Sequence, residues 1–236
     1  MRTLIPPAAI AAVRAPRDGA TYATAPTERR TAEVFRPAGP PRATVVLLHG
    51  WSDRAPRNYL QWIHHLTARD VAVVFPHYQD SVRSSRKQML AGAEAGLRDG
   101  LELLGPDHGP LVLAGYSYGA GLAVIAAAES ARWELPTPAA VYAVFPYFAG
   151  RSARTPLVVP HTTTVSIVVG DRDQVVGRRG AAAIERTIAP HPAALRVLES
   201  SPAMSFGHLS VLQTDQAAQA AFWTPLDRIV DRLAPR

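Results

Sequence analysis

From residue 43 onward, short uninterrupted apolar runs alternate with longer amphipathic stretches, and this rhythm limits the chain more than any other feature it has. Runs at 44–48, 71–75, 111–114, 140–145, 165–169 and 195–198 are apolar apart from Thr44, Ser166 and Arg196, the pattern of strands buried between two layers. Between them, 59–68, 88–104, 120–132, 177–188 and 214–233 carry helical periodicity. Strand, helix, strand in repetition predicts a mostly parallel, doubly wound α/β sheet with helices on both faces. A hairpin around 22–36 adds antiparallel strands at one edge, for an expected mixed sheet of eight strands. Ligands of such sheets bind beyond the carboxyl ends of the strands, so the segments that follow each strand are where chemistry is to be sought.

Composition narrows the chemistry. The 236 residues contain no cysteine, which removes disulfides, Cys-ligated zinc, iron–sulfur clusters and any thiol nucleophile. No window approaches the ~18 continuous apolar residues of a membrane span. The net charge of +6 is almost wholly arginine, Lys87 being the one lysine, and Arg29-Arg30 and Arg178-Arg179 are the densest pairs. Such scatter lacks the basic run that marks a nucleic-acid surface, so no nucleic-acid partner is expected. At the N-terminus, Arg2 and the apolar residues 4–13 imitate a secretory leader. Pro6-Pro7 interrupt that run, however, and Pro26 obstructs cleavage after Ala23-Thr24-Ala25. Residues 1–27 therefore read as an N-terminal arm, 28–236 as one domain, and the protein as cytoplasmic, with its oligomeric state open beyond a domain able to stand as a monomer.

The segment after the third run of the series is Gly115-Tyr116-Ser117-Tyr118-Gly119, a G-x-S-x-G between a predicted strand and a predicted helix. That motif needs glycines two residues either side of the serine, because a tight turn must lift the hydroxyl off the sheet while helix and strand pack closely. A serine hydroxyl is a weak nucleophile until a base takes its proton and an acid orients the base. Two later loops supply them: Gly170-Asp171-Arg172-Asp173-Gln174-Val175-Val176, and Gly207-His208-Leu209. Of the eight histidines, His64 and His65 fall on an amphipathic helix and His108 and His191 in turns. His77 precedes the serine, and His161 lacks a suitable preceding strand. No H-E-x-x-H or similar spacing points to a metal, and no cofactor is expected.

The order Ser117, Asp173, His208 resembles that of the α/β-hydrolases, and the chain is most similar to their compact, capless dienelactone hydrolase and serine esterase group, from about residue 30 to 232. The family's G-x-x-D-x-x-V pattern places the acid on Asp173 and leaves Asp171 as a turn former. Lacking cysteine, the chain departs from dienelactone hydrolases proper, which favours the esterase branch. The resemblance further implies an oxyanion hole from the backbone N–H groups of Tyr118, after the nucleophile, and Trp51, in His49-Gly50-Trp51-Ser52. His49 then bonds loop backbone. Tyr116, Tyr147, Phe148, Met204 and Phe206 are the candidate pocket residues. The stretch between the fourth and fifth runs, which contains Arg151 and Arg154, is too short for a cap domain, and Arg54, Arg57, Arg151 and Arg178 are the arginines expected near the mouth. The implied function is hydrolysis of a small-molecule carboxylic ester or thioester through an acyl-enzyme. An acyltransferase or tailoring cyclase would use the same intermediate, and a non-catalytic binding protein would share the fold.

Overall fold

A computed structural model describes residues 21–24, 31–148, 156–202 and 204–236. Most of the N-terminal arm, the boundary at 27/28, the hairpin's turn and Arg151 and Arg154 lie outside them. Strands β1 (Thr21–Thr24), β2 (Ala32–Arg36), β3 (Ala43–Leu48), β4 (Val71–Pro76), β5 (Leu111–Tyr116), β6 (Ala140–Val144), β7 (Thr164–Gly170) and β8 (Ala194–Leu198) form one sheet, in the order β1-β2-β4-β3-β5-β6-β7-β8. The β1–β2 and β2–β4 pairs are antiparallel; every other pair is parallel. The expected mixed sheet of eight strands is what the chain builds.

Helices α1 (Leu60–Thr67), α2 (Arg86–Leu104), α3 (Tyr118–Glu129), α4 (Arg179–Ile188) and α5 (Thr224–Leu233) cover both faces. On one side Val46, Leu48, Leu111 and Leu113 pack on α2, α3 and α4; on the other Val45, Leu47, Val112 and Ala114 pack on α1 and α5. Alternate residues of the central strands β3 to β6 thus serve opposite layers, so those runs had to be apolar almost throughout, whereas the edge strand β8 is exposed from Ala194 to Arg196. The α3 helix is buried on almost all sides, from Tyr118 to Ala127, which explains why it is apolar around its whole circumference rather than along one stripe. At the head of α2, Ser85 and Gln88 close a capping box, so that helix begins two residues before the expected 88. The terminal helix, expected as one piece from 214, instead starts with a turn at Gln216–Ala218 and a π-helical segment at Gln219–Trp223 before α5. Residues 145–163 join β6 to β7, and among those described no helix or strand intervenes that would form a cap.

Candidate active site

Ser117 sits between β5 and α3 with φ 53° and ψ −117°, a backbone conformation that costs a non-glycine residue about 1–3 kcal/mol. Its neighbours hold it there. The Ser117 N–H donates to Val144 O at 2.9 Å, and its carbonyl accepts from Tyr147 N–H at 2.9 Å and Ala120 N–H at 3.1 Å. The glycines either side are demanded by close packing: a Cβ on Gly115 would lie 2.3 Å from Gly119 O, and one on Gly119 would lie 2.2 Å from Leu48 O.

Above this turn, His208 comes from the single 3-10 turn His208–Leu212 that follows β8, and its Nε2 accepts from Ser117 Oγ at 2.9 Å. Its Nδ1–H donates to Asp173 Oδ2, also at 2.9 Å. The other carboxylate oxygen of Asp173 accepts from the Val175 and Val176 amides at 2.9 and 3.1 Å, so a fully buried acid is met by three donors. Asp171 turns away, taking the Ser200 N–H and hydroxyl, as a residue shaping the loop would. The imidazole of His208 lies against Tyr116 and Phe145, with ring centroids 5.1 and 6.0 Å away. The structure therefore brings together the three side chains singled out from three separate loops. Four other histidines bond elsewhere: His65 to Asp227, His77 to Glu33, His108 and His191 to neighbouring carbonyls.

The loop after β3 faces the serine, since a Cβ on Gly50 would be 3.7 Å from Ser117 Cβ. Of its four successive amides, Gly50 N–H donates to Tyr59 Oη, Ser52 N–H to Gln79 Oε1 and Asp53 N–H to Gly50 O. Trp51 N–H has no acceptor among the described residues, and neither has Tyr118 N–H, at the start of α3 where the helix dipole favours negative charge. His49 is buried and bonds Gly50 O through Nδ1 at 2.7 Å, the backbone role expected of it. Burial, opposed by that bond and assisted by His77 and Arg54, pushes its pKa down to about 4.

Ser117 opens into a cavity of about 630 Å³, a size suited to a small organic ligand. Trp51, Tyr118 and Tyr147 make an aromatic wall, with Tyr118 stacked on Tyr147 at 5.9 Å; Met89, Val175 and Val176 add apolar surface, and Ser84, Ser85 and Arg86 form the polar end. The sequence-based pocket is corrected in part. Tyr147 lines the cavity and Phe148 lines a small adjoining cleft. Tyr116, Met204 and Phe206 do not: they belong to the second core layer, with Tyr116 beneath His208 and Phe206 against Phe222. Ser84, Ser85, Arg86 and Met89, which the sequence reading missed, enter because α2 starts beside the nucleophile; the Ser85-x-x-Gln88 capping signature was the signal that a helix begins there.

No protein-family model matches the sequence, and no curated protein matches it. Solved structures do. Esterase B from Lactobacillus rhamnosis, seen inhibited by a tributyrin phosphonate, superposes with a TM-score of 0.70 at 16% identity over 96% of this chain and 91% of that one. Thermogutta terrifontis esterase 2, seen phosphorylated by paraoxon, gives 0.68 at 17% identity over 92% and 96%. A Klebsiella pneumoniae protein described as a dienelactone hydrolase gives 0.62 at 14% over 90% and 98%. At such identities the likeness is one of architecture, and together with the strand order it establishes that this chain has the compact α/β-hydrolase fold, without a cap domain among its described residues.

Proposed function

We propose that the protein is a cofactor-independent serine hydrolase of small carboxylic esters or thioesters. The observation that carries this reading is the continuous relay from Ser117 through His208 to the buried Asp173, two contacts of 2.9 Å each, opening on an apolar cavity. Ser117 Oγ attacks the carbonyl carbon while its proton passes to His208 Nε2. The C–O or C–S bond to the leaving group then breaks, and His208 returns the proton to the departing oxygen or sulfur. Water, deprotonated by the same nitrogen, releases the acid and restores the serine. Asp173 holds His208 in the tautomer that accepts from Ser117 and favours the imidazolium. The Trp51 and Tyr118 amides supply the charge stabilisation that the tetrahedral oxygen requires, typically ~100- to 1000-fold per donor. Inhibition of the Lactobacillus and Thermogutta esterases by phosphorus reagents supports the same chemistry here.

With no cap among the described residues to shelter a long chain from water, short acyl groups are the preferred substrates. A graded series of p-nitrophenyl esters, assayed with wild type, Ser117→Ala and His208→Ala, tests this. The reading expects turnover of short-chain esters that both variants lose; turnover surviving in Ser117→Ala, or a rate that climbs steadily into lipase-length chains, overturns it.

A further inference from the structure

We propose that Tyr59 and Tyr78 are positioning residues for the oxyanion hole, two phenol hydroxyls from separate elements that grip opposite edges of one peptide, His49–Gly50, and so aim the next amide, Trp51 N–H, at the reacting oxygen. The inference rests on the hydrolase reading and extends it to residues that never touch substrate.

The need for a clamp follows from Gly50. A side chain there is excluded, because a Cβ would meet Tyr116 Cε1 at 2.7 Å, and so the residue that precedes the donor is the one with the loosest intrinsic backbone preference. Trp51 itself is 44% exposed and anchors little beyond an edge contact with Tyr118. Fixing must come from outside. Because a peptide unit is planar and trans, holding its C=O and N–H on opposite sides removes its rotational freedom. Here Tyr78 Oη donates to His49 O, and Gly50 N–H donates to Tyr59 Oη at 3.0 Å. The next unit is held by its carbonyl: Gly50 O accepts from His49 Nδ1 at 2.7 Å and Asp53 N–H at 3.2 Å, which turns Trp51 N–H the other way. Beyond it Ser52 N–H is tied to Gln79 at 2.7 Å. Trp51 is thereby the one amide of the four left for a ligand.

Both tyrosines are themselves buried and packed against other rings. Tyr59 is 2% exposed at the entrance to α1, its ring 5.7 Å from Phe75. Tyr78 is 2% exposed and stacks on the His49 ring at 4.0 Å and 8° between planes. Burial raises both phenol pKa values, with Asp53 adding to the effect on Tyr59 and Tyr118 on Tyr78, so the hydroxyls stay protonated through any working pH. The second oxyanion amide is prepared in the same way, its peptide's carbonyl on Ser117 accepting from Tyr147 and Ala120.

The test uses Tyr59→Phe, Tyr78→Phe and the double variant, which keep the rings and remove only the hydroxyls. Turnover of p-nitrophenyl acetate is measured alongside affinity for a small boronic acid that forms a tetrahedral anion on Ser117. A misaimed donor should lower kcat by about 10- to 100-fold, less than its outright removal, with KM changed by less than about twofold. Boronate affinity should fall in parallel with kcat, and the double variant should lose less than the product of the two, since both hydroxyls hold one peptide. Unchanged kcat in both single variants, or losses confined to KM or Tm, overturns the clamp. Should the variants not fold, amide exchange on the wild type decides: Gly50 N–H protected like a strand amide supports the proposal, and exchange at the rate of an open loop refutes it. Wild type that neither turns over esters nor binds the boronate is failure of the hydrolase reading, and the clamp then falls with it, having no reaction to serve.

Discussion

His49 should make the folded protein acid-sensitive in a defined window. Its imidazole is fully buried, spends Nδ1–H on Gly50 O and leaves Nε2 without a hydrogen-bond partner among the described residues. Burial is the largest cause of its lowered pKa, about 4 against an ordinary 6.5. Between those values the unfolded chain takes up a proton that the folded chain refuses. Stability is thus fully present above pH 6.5 and falls as the pH drops, at up to ~1.4 kcal/mol per pH unit, reaching a loss of about 3 kcal/mol before levelling off near the folded pKa. The comparison that isolates this one group is with His49→Asn, whose side-chain amide keeps a donor for Gly50 O and does not titrate. Urea denaturation of both proteins at pH ~7.5 and ~4.5 cancels the other ionisable groups. The wild type should lose about 2–3 kcal/mol more than the variant between the two conditions. A wild-type-to-variant difference that does not depend on pH would refute the reasoning.

Four further outcomes are expected. Gly119→Ala places a methyl 2.2 Å from Leu48 O and 2.4 Å from His49 O, so α3 must retreat by about 1 Å; urea denaturation should show a loss of about 2–3 kcal/mol and ester assays a sharp fall in kcat. Ser117→Gly relieves the positive φ that Ser117→Ala retains, and should be the more stable of these two inactive proteins by about 1 kcal/mol in the same denaturation experiment. Asp173→Asn should lower kcat by roughly 1000- to 10,000-fold, whereas Asp171→Asn, whose carboxylate serves Ser200 and Arg172 and does not touch His208, should stay within about threefold of wild type. Met89→Trp fills part of the cavity and should depress kcat/KM for benzoyl esters far more than for acetyl esters.

The central strands were legible because burial on both faces leaves a nearly unbroken apolar run, a signal that needs no partner to be read. The elbow was legible because Gly115 and Gly119 answer to backbone contacts within a few ångströms, and the acid and base because each lies in the segment after a strand, Asp173 three residues past β7 and His208 ten residues past β8. Directions of loop side chains carry no such periodicity. Met204 and Phe206 precede His208 in the chain, yet pack into the second core layer rather than the cavity. Tyr116, the last residue of β5, points to the opposite layer from Ser117's cavity and serves as a floor for His208. Arg86 and Met89 reach the cavity through the path of the chain after β4, a long-range placement that local sequence does not encode. The grip of Tyr59 and Tyr78 on one peptide is equally non-local: it joins residues near the start of α1 and after β4 to the end of β3, and neither tyrosine sits in any motif.

The account stands or falls on Ser117 as the nucleophile, and covalent capture tests that most directly. The 236-residue chain, treated with a fluorophosphonate and digested, should yield one phosphonylated peptide with the adduct on Ser117. The adduct should be absent from Ser117→Ala and much slower to form in His208→Ala. Phosphonylation at another residue, labelling that persists in Ser117→Ala, or a folded wild type that takes up no reagent would contradict it.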